Sequence, residues 1–353
     1  MRYMTIIVLL FFLSISCKKE TIPEPKNELY SVWENYFDTV DYETSENRHS
    51  IGSMAKYGDN ALIYSAFLRL NNYTSYKDAL FTLSNNVIVP IDTSKFFMSY
   101  NHIFLNEKSI EKHIYANDDY LFVYDKNESG SQKWLITNLH EKSHSSRGQI
   151  DQQGNIWLTS NSKDIGDGLH MYNGQTWKTW FDGTTLYSVC FDNNGVLYVS
   201  TLPRFDEPGI VMKYDYTKWD TVITCSGNEK WVPCMSFDKE NNLWLGVLSR
   251  GAVAPESGDG LYKIWGKNVT NYSMYNSKLP SNSVIDIFID DSDNKWVGTY
   301  SGGMAKLSAE GNWKVFNKSN SPIPTNSVEH IIVDNKENIW LASQQFGLSR
   351  IKE

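Results

Sequence analysis

One decapeptide, Asp290-Asp-Ser-Asp-Asn-Lys-Trp-Val-Gly-Thr299, constrains this chain more than any other stretch, because altered copies of it recur four more times. The copies are Asp151 to Ser160, Asp192 to Thr201, Asp238 to Val247 and Asp334 to Ser343. Each opens on an Asp and reaches a large aromatic six residues later: Trp157, Tyr198, Trp244, Trp296 and Trp340. Those aromatics are spaced 41, 46, 52 and 44 residues apart. A period of that length is one supersecondary unit per repeat, and a single unit cannot bury its own apolar face. The units must therefore pack against one another.

Each repeat carries further strand signals. A Gly followed by an alternating segment comes next, as in Gly168-Leu-His-Met-Tyr172, Gly260-Leu-Tyr-Lys-Ile264 and Gly303-Met-Ala-Lys-Leu307. An aromatic strand follows, such as Trp177-Lys-Thr-Trp180 or Trp313-Lys-Val-Phe316, and a polar link then leads to an apolar strand ending at the next Asp. Four strands in meander order make one propeller blade. The Asp has a local reason to be there, since its carboxylate accepts a backbone N–H two residues on and starts the hairpin. The fourth turn position, Gly154, Gly195, Asn241, Asp293 or Glu337, suits left-handed backbone in all copies but the last, where Asn338 is expected to take the strain instead. The aromatic is expected to fill the wedge between neighbouring blades.

The last repeat ends after its third strand, and Ser31-Val-Trp-Glu-Asn-Tyr-Phe37 resembles the outer strand Thr176 to Phe181. The N-terminal strand is therefore expected to complete the C-terminal blade and close the ring. Residues 47–145 are less regular. Ile51 to Tyr64, Val87 to Asp92, Phe96 to Tyr100, His102 to Leu105, Tyr120 to Tyr124 and Trp134 to Thr137 read as strands. At the observed period this stretch holds two blades. The expected fold is an all-β propeller of four-stranded antiparallel blades, seven in number within a range of six to eight.

Residues 1–16 read as a lipoprotein signal peptide: Arg2 supplies the positive charge, and Met4 to Ile15 is apolar but too short to span a bilayer. Leu-Ser-Ile-Ser-Cys17 resembles a bacterial lipobox, so Cys17 is the expected lipidation site and 17–27 a lipidated tether ahead of one propeller domain, 28–353. Localisation follows as the bacterial cell envelope, anchored to the outer membrane on its periplasmic or surface side. Export permits disulfides. Cys190, Cys225 and Cys234 remain, and the preferred reading is buried thiols, with a Cys225–Cys234 bridge left open. A formal charge of −8 argues against a nucleic-acid partner.

The repeat resembles the two-component regulator propeller repeat. The resemblance rests on Asp151/Gly154/Asn155/Trp157, on Asp290/Asn294/Trp296/Gly298/Thr299 with Gly302-Gly303, and on Leu279-Pro280-Ser281-Asn282. It covers 146–353 well and 47–145 poorly. In that family such repeats form periplasmic sensor propellers, often responding to glycan fragments. This sequence has neither a second apolar span nor a kinase or receiver, so the resemblance implies a stand-alone, sensor-like propeller.

Candidate sites were weighed against plainer readings. His140-Glu-Lys-Ser-His144 matches H-E-x-x-H, but a zinc site needs that motif on a helix, and here it follows a strand. Asp290-Asp-Ser-Asp293 resembles part of a calcium loop, yet the other copies lack its carboxylates, so it reads as a structural turn. No catalytic residue, metal or cofactor is assigned. In a propeller, blade-linking loops and second-to-third-strand loops share one face at the channel mouth. Arg204, Trp231, Arg250 and Tyr300 fall in those loops and form the candidate ligand-binding set. The expected function is glycan or envelope-protein recognition. The alternative is a propeller lyase or hydrolase, for which His330 is the His placed to face the channel.

Overall fold

The computed structural model of the protein describes residues 32–35, 48–57, 61–70, 75–84, 87–90, 102–105, 112–116, 120–126, 132–138, 145–160, 168–203, 207–227, 229–249, 254–321, 323–343 and 347–352. These form seven antiparallel sheets. The third sheet, Ser145–Ile150, Ile156–Ser160, Gly168–Tyr172 and Trp177–Trp180, shows the pattern, with each strand pairing with the next. The fourth runs from Leu186–Phe191 to Trp219–Thr224, the sixth from Val284–Ile289 to Trp313–Phe316. In the fifth, the first strand is split into Lys230–Trp231 and Met235–Phe237, both paired with Leu243–Ser249. Pro233 sits in the break, and it has no N–H to give to a ladder.

The irregular stretch supplies two four-stranded sheets, Arg48–Tyr57 to Val87–Pro90 and His102–Leu105 to Gln132–Asn138. Ser75–Ser84 and Lys112–Ala116 are strands the sequence reading missed, whereas Phe96 to Tyr100 lies outside the described residues. The seventh sheet takes three strands from the C-terminus and its fourth, Val32–Asn35, from the N-terminus, with Trp33 opposite Ile351. No sheet closes on itself. The first strands of successive sheets lie side by side, and Arg48–Tyr57 of the first lies beside His330–Val333 of the seventh.

The Asp turns explain the repeat. Asp290 Oδ1 accepts the N–H groups of Ser292 and Asn294 at 2.9 Å each. Its Oδ2 accepts Asn294 Nδ2 and the indole N–H of Trp296, both at 2.8 Å. The same indole bond joins Asp151 to Trp157, Asp238 to Trp244 and Asp334 to Trp340. The six-residue spacing is thus the reach of one carboxylate over one turn to the ring that follows. At the fourth turn position φ is positive in all five copies, and Glu337 itself takes it at 61°. The expectation that Asn338 would do so is corrected: Asn338 is held by its side-chain bond to Asp334 at 2.7 Å, which leaves the strained position to Glu337.

The copy with Tyr198 departs from the rule for a visible reason. It has Val196 where the others have Asn and no indole N–H, so Asp192 Oδ2 lacks both usual donors. Asn241 of the next turn supplies one from 3.2 Å, while Asn193 donates back to Asn241 and to the Asp238 carbonyl at 2.8 Å each. A local bond is replaced by one between sheets.

The core lies between sheets. Trp157, 2% exposed, packs with Leu186, Val189, Leu197 and Val199 of the following sheet. Trp244 and Trp296 do the same two and three sheets later, as expected for wedge-filling rings. Eight residues after each Asp the second strand carries only a small residue: Thr159, Ser200, Gly246, Gly298 or Ala342. A Cβ on Gly298 would come within 2.4 Å of the Val328 carbonyl, so adjoining sheets approach too closely there for a side chain. Where a hydroxyl is present it bridges the sheets, Thr159 donating to the Tyr187 carbonyl and Ser200 to that of Val232 at 2.8 Å.

Candidate rim site

The residue four before each Asp is Arg147, Ser188, Cys234, Asp286 or His330. Arg147, Asp286 and His330 stand opposite those small residues on the first strands. Ser188 and Cys234, the latter in the break of the fifth sheet's first strand, are hydrogen-bonded to Ser200 and Gly246. This is the position where the repeats share least chemistry. Register shifts occur beside it, between Ser145 and Arg147, Leu186 and Val189, and Val284 and Asp286. Such bulges re-aim side chains. Arg147, Tyr187, Trp231, Asp286 and His330 all keep partial exposure although they lie on the first strands, which pack side by side.

Several of these groups converge. The Arg147 guanidinium lies 5.4 Å from the centre of the Tyr187 ring. Tyr187 meets Trp231 edge to face at 4.3 Å. Asp286 Oδ2 accepts the Ile331 N–H at 2.7 Å, across to the seventh sheet. Burial pushes the Asp286 carboxyl up to about 6, against the Ile331 N–H and the positive charge of Arg147, which lower it. Burial raises the Cys234 thiol as well, and the positive charge of Arg147 works weakly against it. Arg147, Tyr187 and Trp231 thus form one run of contacts over the third, fourth and fifth sheets, while Asp286 ties the sixth sheet to the seventh.

Of the residues expected from sequence, Trp231 is in this cluster. Tyr300 is exposed, and its N–H bonds to the Ser283 carbonyl at the start of the sixth sheet's first strand. Arg204, Arg250 and Cys17 lie outside the described residues, as does His140 to His144, which falls between strands ending at Asn138 and starting at Ser145. Sequence reasoning missed Arg147, Tyr187 and Asp286. The signal was the variable polar position four before each Asp, but the bulges that aim it leave no mark in the residues themselves. Asp290 is occupied by amides and an indole rather than arranged as a cation loop. Among the described residues no group of three metal-ligating side chains occurs.

Cys190, Cys225 and Cys234 are free and buried, so the Cys225–Cys234 bridge does not form. Burial pushes the Cys225 thiol up to about 11, and raises those of Cys190 and Cys234 as well. Protonated thiols of this kind are inert. His170 is on a third strand, with Nδ1 2.9 Å from Thr179 Oγ1, far in register from the first strand.

No family model and no curated protein matches the sequence. Solved structures do match in fold. PorZ, a surface component of the type-IX secretion system of Porphyromonas gingivalis, is 15% identical with a TM-score of 0.62, over 86% of this chain and 46% of that one. YCF48 bound to a D1 peptide is 10% identical with a TM-score of 0.55, over 92% and 98%. The extracellular domain of a hybrid two component system of B. thetaiotaomicron is 12% identical, over 87% and 51%, but its TM-score of 0.47 carries no weight. This chain thus spans about half the length of the first and third of these proteins. At such identities the likeness is one of fold: an all-β protein of repeated four-stranded, propeller-like sheets.

Proposed function

We propose that the protein is a cell-envelope lipoprotein, anchored through Cys17, whose seven sheets are the blades of one closed propeller that recognises a glycan or an envelope protein without turning it over. Closure is supported by the first strands lying side by side from the first sheet to the seventh, and by Val32–Asn35 serving as the seventh sheet's fourth strand. The observation that carries the binding reading is the Arg147–Tyr187–Trp231 cluster on the first strands, a guanidinium over one ring that meets the next edge to face. Rings and a guanidinium held rigidly on strands suit a hydroxyl-rich or peptide surface. The surface location of PorZ and the peptide held by YCF48 are consistent with an envelope address and a protein ligand.

A catalytic reading has one observation in its favour. Asp286, raised to about 6, and His330 occupy the same register on adjoining first strands, where a lyase or hydrolase would want a base and an acid. The deciding experiment is a binding screen of residues 24–353 against polysaccharides and oligosaccharides, with product analysis of each hit. Binding without new products supports recognition. Degradation of a hit replaces it with the enzyme. Silence towards every glycan leaves a protein ligand, to be sought by pull-down from envelope extracts.

A further inference from the structure

We propose that the outer edge of the fifth sheet docks on the surface of a membrane containing anionic phospholipid, a contact separate from the recognition rim. Among the described residues six large hydrophobic side chains are exposed, and four of them, Trp265, Val269, Met274 and Tyr275, fall within eleven consecutive positions. They lie on the hairpin of Gly260–Trp265 and Asn268–Tyr272 and on the turn that follows. Asn268–Tyr272 is the fifth sheet's edge strand, the one farthest from its first strand. The same stretch is basic in an acidic protein. Residues 260–285 hold Lys263, Lys267 and Lys278 and no Asp or Glu, whereas the whole chain carries −8. Lys267 and Lys278 are exposed, and Lys263 Nζ lies 5.7 Å from the centre of the Trp265 ring. Rings and cations therefore alternate along one edge.

The next repeat shows that the fold does not ask for these side chains. The turn after Asn268–Tyr272 is pinned by Asn276, whose Oδ1 accepts the Ser273 N–H at 2.7 Å and whose Nδ2 donates to the Asn271 carbonyl at 3.0 Å. Asn282 Oδ1 accepts the Met274 N–H at 2.8 Å. After the sixth sheet, Asn320 and Asn326 make the same bonds to Asn317, Val315 and Lys318 at 2.8, 3.1 and 2.9 Å. There the residues at the apex are Lys318 and Ser319, and Ser308 stands where the fifth sheet has Trp265. The same frame is thus built around polar side chains, while in the fifth sheet it holds Tyr275 76% exposed. A ring projected by a fixed turn costs little ordering on contact. A membrane surface fits both halves of the pattern: Trp and Tyr favour the boundary between headgroups and acyl chains, and Lys reaches the phosphates. An added β-strand fits worse, because Asn276 already takes the Asn271 carbonyl that a partner strand would need.

The test is cosedimentation of residues 24–353, which contain every described strand, with vesicles of phosphatidylethanolamine and phosphatidylglycerol and with vesicles of phosphatidylcholine. Wild type is compared with Tyr275→Ser, Lys267→Glu and Lys336→Glu, the last an exposed lysine in the Asp turn of the seventh sheet. Tyr275→Ser installs the residue that the sixth sheet's turn already carries at its apex, so the variant keeps a foldable turn. Wild type is expected to bind the phosphatidylglycerol vesicles about tenfold more tightly than the others, a difference that shrinks as salt is added. Lys267→Glu is expected to lose about tenfold, Tyr275→Ser about fivefold and Lys336→Glu less than about twofold. Equal binding to both kinds of vesicle overturns the requirement for anionic lipid. A preference that either Lys267→Glu or Tyr275→Ser retains in full moves the contact off the fifth sheet and overturns the site. Absence of binding to both vesicles overturns the membrane proposal, and capture on immobilised polyglutamate, lost in Lys267→Glu, would then give this edge to an acidic protein.

Discussion

Trp296 tests whether the aspartate–indole bond is what the repeat selects for. Trp296→Phe keeps a large ring in the wedge but deletes the N–H that reaches Asp290 Oδ2 at 2.8 Å. The ring is 1% exposed, so water cannot replace the lost donor freely. A hydrogen bond to a charged group under those conditions contributes about 1.5–3 kcal/mol. Trp296→Phe also loses packing, so the bond is isolated by a double-mutant cycle with Asp290→Ala. Urea unfolding followed by tryptophan fluorescence and far-UV circular dichroism should give a coupling of about 2 kcal/mol. The matched control is Asp192→Ala with Tyr198→Phe, where Asp192 is tied to Asn241 instead, and where a coupling below about 0.5 kcal/mol is expected. Equal couplings in the two cycles would refute the reasoning. Acid adds a second readout. Burial works against the charged form of Asp290, but bonds from Trp296, Asn294 and the backbone outweigh it and hold the carboxyl below its ordinary range. A lowered folded value means stability that is present above the unfolded value, about 3.9, and is lost as pH falls through the folded one.

Asp286 should behave in the opposite sense. Its carboxyl is pushed up to about 6, so the fold holds a proton that the unfolded chain has already released, and stability falls as pH rises through roughly 4 to 6. Asp286→Asn should match wild type near pH 4 and exceed it by up to about 3 kcal/mol at pH 8 in urea unfolding, and no pH dependence of the difference would contradict this. Gly298→Ala places a methyl against the backbone carbonyl of Val328, which cannot rotate away, and should cost about 1–3 kcal/mol. An unchanged urea midpoint would mean that the Val328 carbonyl leaves room for a methyl at that position. Cys17→Ala should abolish palmitate labelling and detergent-phase partitioning of the full chain; retention of both would remove the lipid anchor.

What was legible in the sequence was local. The Asp-to-aromatic spacing works because turn, carboxylate and indole lie within one hairpin, and the wedge role of the rings follows from the same alternation. The Tyr198 repeat could be seen to deviate, but its remedy is a residue 49 positions away, in the next turn. Glu337 was misjudged because propensity for left-handed backbone was weighed alone, without the bond that fixes Asn338. The rim was only half legible. Counting strands singled out Trp231 and Tyr300, though Trp231 lies on the short strand Lys230–Trp231 and not in a loop, whereas Arg147, Tyr187 and Asp286 depend on bulges and on which sheets face one another. Two strands of the irregular region escaped because the stretch lacks the Asp–Trp marker that fixes register elsewhere.

Everything at the rim presupposes that the seventh sheet is finished by the N-terminal strand, so that the first strands surround one space. Cysteines placed at 33 and 351 in residues 24–353 test this most directly, because those positions are opposed in an antiparallel pair and such pairs lie within disulfide reach. An intramolecular crosslink should form on mild oxidation, migrate faster on non-reducing gels, and raise the thermal midpoint relative to either single cysteine. Failure to crosslink within the chain, or crosslinking only between chains, would contradict ring closure and with it the placement of the site.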